Sequence, residues 1–339
     1  MTDGTRRIIR LAAKPTLDNV TVTEEPIPTP GPGEVLLRIR ASSLNYHDYL
    51  VVAGYIPQPA GRVPMSDGAG EIAALGEGVT SWAVGDRVMG AFFPNWTDGA
   101  PTDANNAAIS GETIDGFAAT HVVVPAHSLC RMPKGWSFAE AATLPCTGLT
   151  AWRALRVEGR LEAGATVLLP GSGGLSVFML QIAKALGIGK ILISSSDEKL
   201  ARLKAMGADV LINYRSDPEW AATVRDRTGG RGVDLALDIG GQSTFARSVA
   251  ACRMGGHLIV VGTTSNGVPE LPLRDVVMRH IRVGGMAVGS VAQLADLVAF
   301  VEARSIRPAI DRTFPLAHLG DAFRYQLSGG HLGKIAVEL

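Results

Sequence analysis

The chain has 339 residues, and its 32 Lys and Arg balance 32 Asp and Glu, so the formal charge is zero. That balance excludes an electrostatic binder of nucleic acid, which needs a basic surplus, and 46% hydrophobic against 19% charged residues excludes a disordered chain. The length suits two or three domains with cores of their own, and no apolar run approaches the roughly 18 residues of a membrane-spanning helix.

The first 125 or so residues read as short strands broken by turns. Pro26, Pro28, Pro30, Gly31, Pro32 and Gly33 exclude helix before the segment EVLLRIRASSL (34–44), whose alternation predicts a half-buried strand. GAGEIAALGEGV (68–79) and VGDRVMGAF (84–92) add strands with Gly-Glu and Gly-Asp turns, a pattern that suggests a compact barrel-like fold. Residues 94–116 are polar and turn-rich, and read as a long surface loop.

From about residue 137 the period changes. Ser137 with Glu140 three residues on is a capping box. Strands and helices then alternate. TVLLP (166–170) precedes the helical FMLQIAKALG (178–187), and ILIS (191–194) precedes a helix with Asp197 as cap and Gly207 as terminator. DVLI (209–212), a helix from Glu219 to Arg227, VDLALDI (233–239), a helix near 243–253 and HLIVVG (257–262) follow. This alternation predicts a doubly wound parallel sheet. The strand-like KIAVEL near residue 339 is expected to pair back with the N-terminal part.

GSGGLS (171–176) is the strongest local signal, lying directly between strand and helix. Gly171 permits the tight turn and Gly173 lets backbone approach a pyrophosphate held at the helix N-terminus, with Ser172, Gly174 and Leu175 beside them. Ser176 replaces the third glycine of the dinucleotide fingerprint and is still small enough for close packing. The next strand ends in Ser194, Ser195 and Ser196, where NAD enzymes place an acid on the ribose. Those hydroxyls, with Lys199 and with Tyr214 and Arg215 after the third strand, favour NADPH over NADH. Asp197 is the contrary residue, and its plainer reading is a helix cap.

PTPGPGEVLLRIRASSLN, GAGEIAALGEGV, VGDRV, LPCTGLTAW, GSGGLS and HLGKI, in this order and spacing, resemble the medium-chain dehydrogenase/reductase superfamily over essentially the whole chain. The resemblance implies an α/β architecture: a GroES-like β-barrel catalytic domain, residues 1–127 and 290–339, interrupted by a Rossmann dinucleotide-binding domain, residues 128–289. It also implies an active site in the cleft between them and a homodimer.

The departures from the family pattern are informative. Zinc alcohol dehydrogenases of the superfamily hold a catalytic metal with Cys, His and Cys, and the matching positions are Asn45, Ser66 and Cys146. One thiolate does not make a zinc site. The lobe with four structural-zinc cysteines in those enzymes corresponds to 94–116, which has no cysteine. The chain therefore resembles the zinc-independent branch of quinone oxidoreductases and enoyl reductases. His47, Asp48, Asp67 and Cys146 stay open as alternative ligands. Cys130, Cys146 and Cys252 are too few and scattered for a disulfide framework. Together with the charged N-terminal MTDGTRRIIRLAAKP, which does not read as a secretion signal, they point to a reduced, cytoplasmic protein.

Without a Lewis acid, reduction of a conjugated C=C asks less of the protein than alcohol oxidation. Asn45 is expected to orient the substrate, with Tyr46, His47 and Tyr55 as proton sources. His47 and Asp48 also read as a structural pair, and Asp67 as holding backbone. The resemblance adds Thr150 against the nicotinamide, Gly262 and Thr263 at its carboxamide, Gly289 in a cofactor-facing loop, and Lys334 either at a phosphate or in solvent. The remaining histidines show no ligand spacing. The leading expectation is an NADPH-dependent reductase of an enone, quinone or unsaturated aldehyde. An alcohol dehydrogenase or carbonyl reductase, and a non-catalytic NADPH sensor, are the alternatives.

Overall fold

The computed structural model describes residues 4–262, 264, 265 and 267–339, excepting the side chains of Ser194, Asp197 and Glu198. Its contacts divide the chain into two units, Met1–Leu149 with Val288–Leu339, and Thr150–Ala287. The division falls later than the expected 127/128 boundary. The reason is local: the turn of helix Phe138–Ala141 packs on strands of the first unit.

In the first unit β1 (Thr5–Ile9) and β2 (Val22–Pro26) form an antiparallel ribbon. β3 (Glu34–Ser43), β4 (Gly68–Leu75), β5 (Arg87–Gly90), β6 (His121–Pro125) and β7 (Leu129–Arg131) build most of a larger sheet. β3 is its axis. β4 pairs along one edge, while β6 takes the first half of the other edge through Glu34–Arg38. The alternation in β3 had suggested a half-buried strand. In the structure Val35, Leu36, Leu37 and Ile39 are all at most 1% exposed, because both edges and both faces are covered. Each such side chain contributes about 1.5–3 kcal/mol of apolar burial. Ile8, Ile9, Val88, Phe117 and Phe323 share this core.

The second unit carries β8 (Thr166–Pro170), β9 (Lys190–Ser195), β10 (Val210–Asn213), β11 (Val233–Asp238), β12 (Cys252–Val260) and β13 (Arg282–Gly285). All pairings are parallel, in the order β10-β9-β8-β11-β12-β13. The strand order reverses direction at β8, which places the switch point of this sheet at the carboxyl ends of β8 and β11. β12 begins at Cys252, five residues before the expected His257. Leu168, Leu192, Ala236 and Leu258 fill the core beneath helices that include Trp220–Arg227 and Phe245–Ala251.

The chain then returns to the first unit with β14 (Ile310–Pro315) and β15 (Lys334–Glu338), parallel to one another. β15 pairs antiparallel with β3 through Ala336–Ser43, Val337–Ser42 and Glu338–Ala41, as the sequence led us to expect. This register sets Lys334, at the first position of β15, beside the chain that leaves β3.

Candidate functional site

The second unit carries the glycine turn that the sequence offers as a nucleotide cradle. β8 ends at Pro170, Gly171 follows with φ +78°, and Gly173 caps helix Gly174–Ala185 in extended conformation. A side chain at Gly171 would strain the backbone, although nothing lies within 4 Å of where its Cβ would sit. The turn is thus open on the side a ligand would approach. Ser172 is buried and Leu175 half-buried in the first helical turn. Ser176 donates its hydroxyl to the Pro170 carbonyl, tying helix to strand. The N-terminus of this 12-residue helix presents backbone N–H groups and a positive dipole end, so the residues fit a dinucleotide pyrophosphate.

At the end of β9, Ser195 is buried, which turns it from solvent; Ser196 and Lys199 keep partial exposure, and Tyr214 is exposed. Ser196, not Asp197, takes the N-cap position of helix Asp197–Ala205. The side chain of Ser194 and all of Thr263 lie outside the described residues. Gly262 is exposed, and the space a Cβ would take there is open to 4 Å. Thr150 is buried in the turn Leu149–Trp152. Gly289 belongs to the first unit. A Cβ there would come within 2.7 Å of Gln293 Oε1 and 3.0 Å of Leu149 Cγ, so the position leaves little room for a side chain.

The first unit brings the positions matched to metal ligands together. At the end of β3, the Ser42 hydroxyl donates to the Asp67 carbonyl at 2.6 Å and the Ser43 hydroxyl to Asp67 Oδ2 at 2.7 Å. Asn45 Nδ2 donates to Ser66 Oγ at 3.2 Å and to Asp67 Oδ2 at 2.9 Å. Asp67 Oδ1 accepts the Cys146 N–H at 3.0 Å, within a π-helical turn, Leu144–Gly148. Such bulges recur at functional sites because they re-aim side chains. Asp48 accepts the N–H groups of Asn45 (3.0 Å) and Ser66 (2.8 Å), fastening both segments to helix Tyr46–Val52.

Lys334 closes the cluster. Its Nζ donates to the Leu44 carbonyl at 2.6 Å, Asn45 Oδ1 at 2.7 Å and Thr147 Oγ1 at 3.1 Å, and lies 3.9 Å from Asp67 Oδ2. The side chain is 5% exposed, so it is not the solvated lysine that was one expectation. Both Asn45 amide protons are taken inside the cluster, which leaves none for a substrate. Burial pushes the Asp67 carboxyl up to about 6 against the opposing Lys334 charge. Burial, and next the Asp67 charge, push the Cys146 thiol well above its ordinary range.

His47 leaves this cluster and turns to the polar loop. Its Nε2 lies 2.5 Å from Glu112 Oε2, its ring meets Phe92 edge-on at 5.1 Å, and Nδ1 is 3.7 Å from Asp48 Oδ1. At that separation Asp48 acts as a charge, so Glu112 is the hydrogen-bond partner. Burial alone would lower the His47 pKa, but the two carboxylates outweigh it and raise it to about 9. Nε2 is engaged by Glu112, and Nδ1 is enclosed without a hydrogen-bond partner. Tyr46 and Tyr55 are exposed and flank Tyr49, with ring centroids 5.5 and 5.8 Å away.

These donors do not fit a zinc ion. An amide, a hydroxyl and one thiol stand at the three positions, the polar atoms bond to one another, and a lysine ammonium donates into their midst. Among the described residues no group of three or more His, Cys, Asp or Glu could hold a metal. Sequence reasoning missed Ser43, Thr147 and Glu112. Ser43 and Thr147 lie inside the quoted motifs, but nothing in the pattern marked them as buried. Glu112 gave no signal at all.

Residues 31–134 match the family described as alcohol dehydrogenase GroES-like domain, and residues 174–303 the family described as zinc-binding dehydrogenase. The chain is 40% identical to a zinc-type alcohol dehydrogenase-like protein of Schizosaccharomyces pombe, covering 91% of each chain. It is 28% identical to an acryloyl-coenzyme A reductase of Sulfurisphaera tokodaii over 93% of this chain and 95% of the relative. A solved NAD-dependent alcohol dehydrogenase superposes with a TM-score of 0.90 at 32% identity, covering 98% of this chain and 99% of the other.

Proposed function

Since the chain belongs to the medium-chain dehydrogenase/reductase superfamily, we propose that it is a zinc-independent, NADP(H)-dependent reductase of activated C=C bonds in small enones, quinones or unsaturated aldehydes. The observation that carries this reading is the closed cluster of Asn45, Ser66, Asp67 and Lys334, which offers amide, hydroxyl and ammonium groups where metal-dependent members need ligands. Similarity to an acryloyl-coenzyme A reductase supports the C=C chemistry.

A dihydronicotinamide, when bound, supplies hydride to the β-carbon of the conjugated carbonyl. The chain holds the pyrophosphate on the N–H groups after Gly173, and Ser196, Lys199 and Tyr214 face the 2′-phosphate. The exposed phenol of Tyr46 or Tyr55 delivers one proton, to the α-carbon of an enone or unsaturated aldehyde or to an oxygen of a quinone: its O–H bond breaks, a C–H or O–H bond forms on the substrate, and water reprotonates the phenolate. Alcohol or aldehyde redox chemistry is the second reading, favoured by the similarity to alcohol dehydrogenases.

The test is a cofactor-oxidation screen over enones, quinones and aldehydes, with NADPH and NADH, with and without chelator, beside metal analysis of the purified protein. Turnover of enones or quinones that survives chelation is expected. Stoichiometric zinc with activity lost on chelation supports the second reading, and tight NADPH binding with no turnover marks a sensor. Lys199→Ala should weaken NADPH about ten-fold more than NADH; an equal loss removes the phosphate contact.

We also propose a homodimer built on the free edge of β13, where Val283 and the nearby Leu273, Val277 and Met278 expose apolar surface. Light scattering should give twice the 35.6 kDa chain mass, and Val277→Asp should shift it toward one. Cys130, Cys146 and Cys252 are scattered thiols, which suit a reducing cytoplasm. No helix among the described residues is long and apolar enough to cross a membrane.

A further inference from the structure

A lysine side chain is seldom buried without a partner, because its ammonium loses hydration that only hydrogen bonds and an opposite charge can replace. Lys334 meets three acceptors, and their protons can be assigned. With the Thr147 hydroxyl proton directed at Asn45 Oδ1, 3.0 Å away, Thr147 Oγ1 accepts from Lys334. The Leu44 carbonyl and Asn45 Oδ1 have only acceptor character. Three acceptors need three N–H bonds, which an ammonium has and a neutral amine lacks. In that arrangement the nitrogen is an ammonium; burial lowers its pKa, and the charge of the fully buried Asp67, 3.9 Å away, opposes that.

The hydrogen bonds give that charge a task. Leu44 and Asn45 form the chain immediately before helix Tyr46–Val52, and Thr147 sits in the π-helical turn. Donating to all three, Lys334 locks two segments into one frame, and Asp67 holds the same segments from its other side through Asn45 and the Cys146 N–H. None of the three bonds is directed at solvent or an external anion.

We infer that Lys334 is a positioning residue whose fixed ammonium replaces a bound metal ion as the standing cation of this pocket, balancing Asp67 and orienting Asn45 and Thr147. The inference rests on the zinc-independent reading. It departs from phosphate binding by Lys334, and the two assign different measurable effects to its loss.

The test is a double-substitution cycle with Lys334→Met, which keeps length and removes charge, and Asp67→Asn, which removes the need for a counter-ion. Lys334→Met alone should lower the melting temperature by about 8 °C or more. Adding Asp67→Asn should restore at least about half of that loss. In the double variant kcat should fall about ten-fold or more while Kd for NADPH, read by nucleotide fluorescence, stays within about two-fold. Additive losses of melting temperature overturn the inference. So does a Kd for NADPH raised about ten-fold with kcat kept, the mark of a phosphate ligand. If Lys334→Met is insoluble, recovery of soluble protein by Asp67→Asn supports it and an insoluble double variant overturns it. Metal analysis separates the two failures. Stoichiometric zinc in the wild type breaks the zinc-independent reading, whereas a zinc-free wild type with additive losses breaks only the role of Lys334.

Discussion

The glycine turn at 171–173 and the cluster around Asp67 are both polar centres, yet they leave their hydrogen-bonding groups in opposite conditions. The turn holds Gly171 at φ +78° with nothing within 4 Å on its side-chain face, and it opens a helix whose first N–H groups have no partner within the helix. The cluster is closed. The Asp67 carboxylate accepts from Ser43, Asn45 and Cys146, and Lys334 spends its three protons on Leu44, Asn45 and Thr147. An open centre is completed by a ligand, so damage to it should appear in binding. A closed centre is completed by the fold, so damage to it should appear first in stability.

Asp67→Ala tests that contrast most severely. It strips three donors of their acceptor and leaves a buried ammonium unbalanced, at a cost of about 4 kcal/mol or more. The melting temperature should drop by about 8–16 °C, while nucleotide affinity of the folded fraction is kept. A loss of affinity without loss of stability would erase the distinction. Gly171→Val is the converse. Strain at a left-handed position costs about 1–3 kcal/mol, but the added side chain stands where a pyrophosphate must approach. Calorimetry should show NADPH affinity reduced about 100-fold, with a melting temperature only a few degrees lower.

The His47–Glu112 pair sharpens the comparison through pH. A histidine whose pKa is raised to about 9 in the folded state stabilises the fold fully below its ordinary value near 6.5. That stabilisation declines as pH rises through about 9. Denaturant unfolding between pH 6 and 10 should lose about 3 kcal/mol from this source, and Glu112→Gln should flatten the profile. Tyr55→Phe is the smallest effect. kcat should fall about ten-fold with NADPH affinity unchanged, and unaltered turnover would leave Tyr46 as the proton source.

Legibility followed the range of the interactions. Strand, glycine turn and helix at 166–185 are contiguous, so propensity and spacing exposed that local unit. The capping box at Ser137 and Glu140 was equally local, and both of its hydrogen bonds form. Lys334 was not legible in the same way. Its position depends on the β15–β3 register, and one lysine in HLGKI looks the same whether buried or solvated. Asn45 read as a donor for substrate because its partners, Ser66 and Asp67, lie 21 and 22 residues away. β3 read as half-buried because alternation reports the two faces of a strand but not which neighbours lie over them. Glu112 stood in a loop whose polarity suggested only exposure.

The bond from Lys334 to Asn45 spans 289 positions of the chain. During synthesis at about 5–20 residues per second, roughly 15–60 s pass between the two residues leaving the ribosome. Throughout that interval Asp67 has no counter-ion, and the edge of β3 that β15 will cover stands unpaired. The first unit therefore cannot reach its final packing while the second is being made, although most of its sequence came first. A nascent chain stalled just before residue 334 would hold a completed parallel sheet and an unfinished first unit, and would be a substrate for chaperones and proteases.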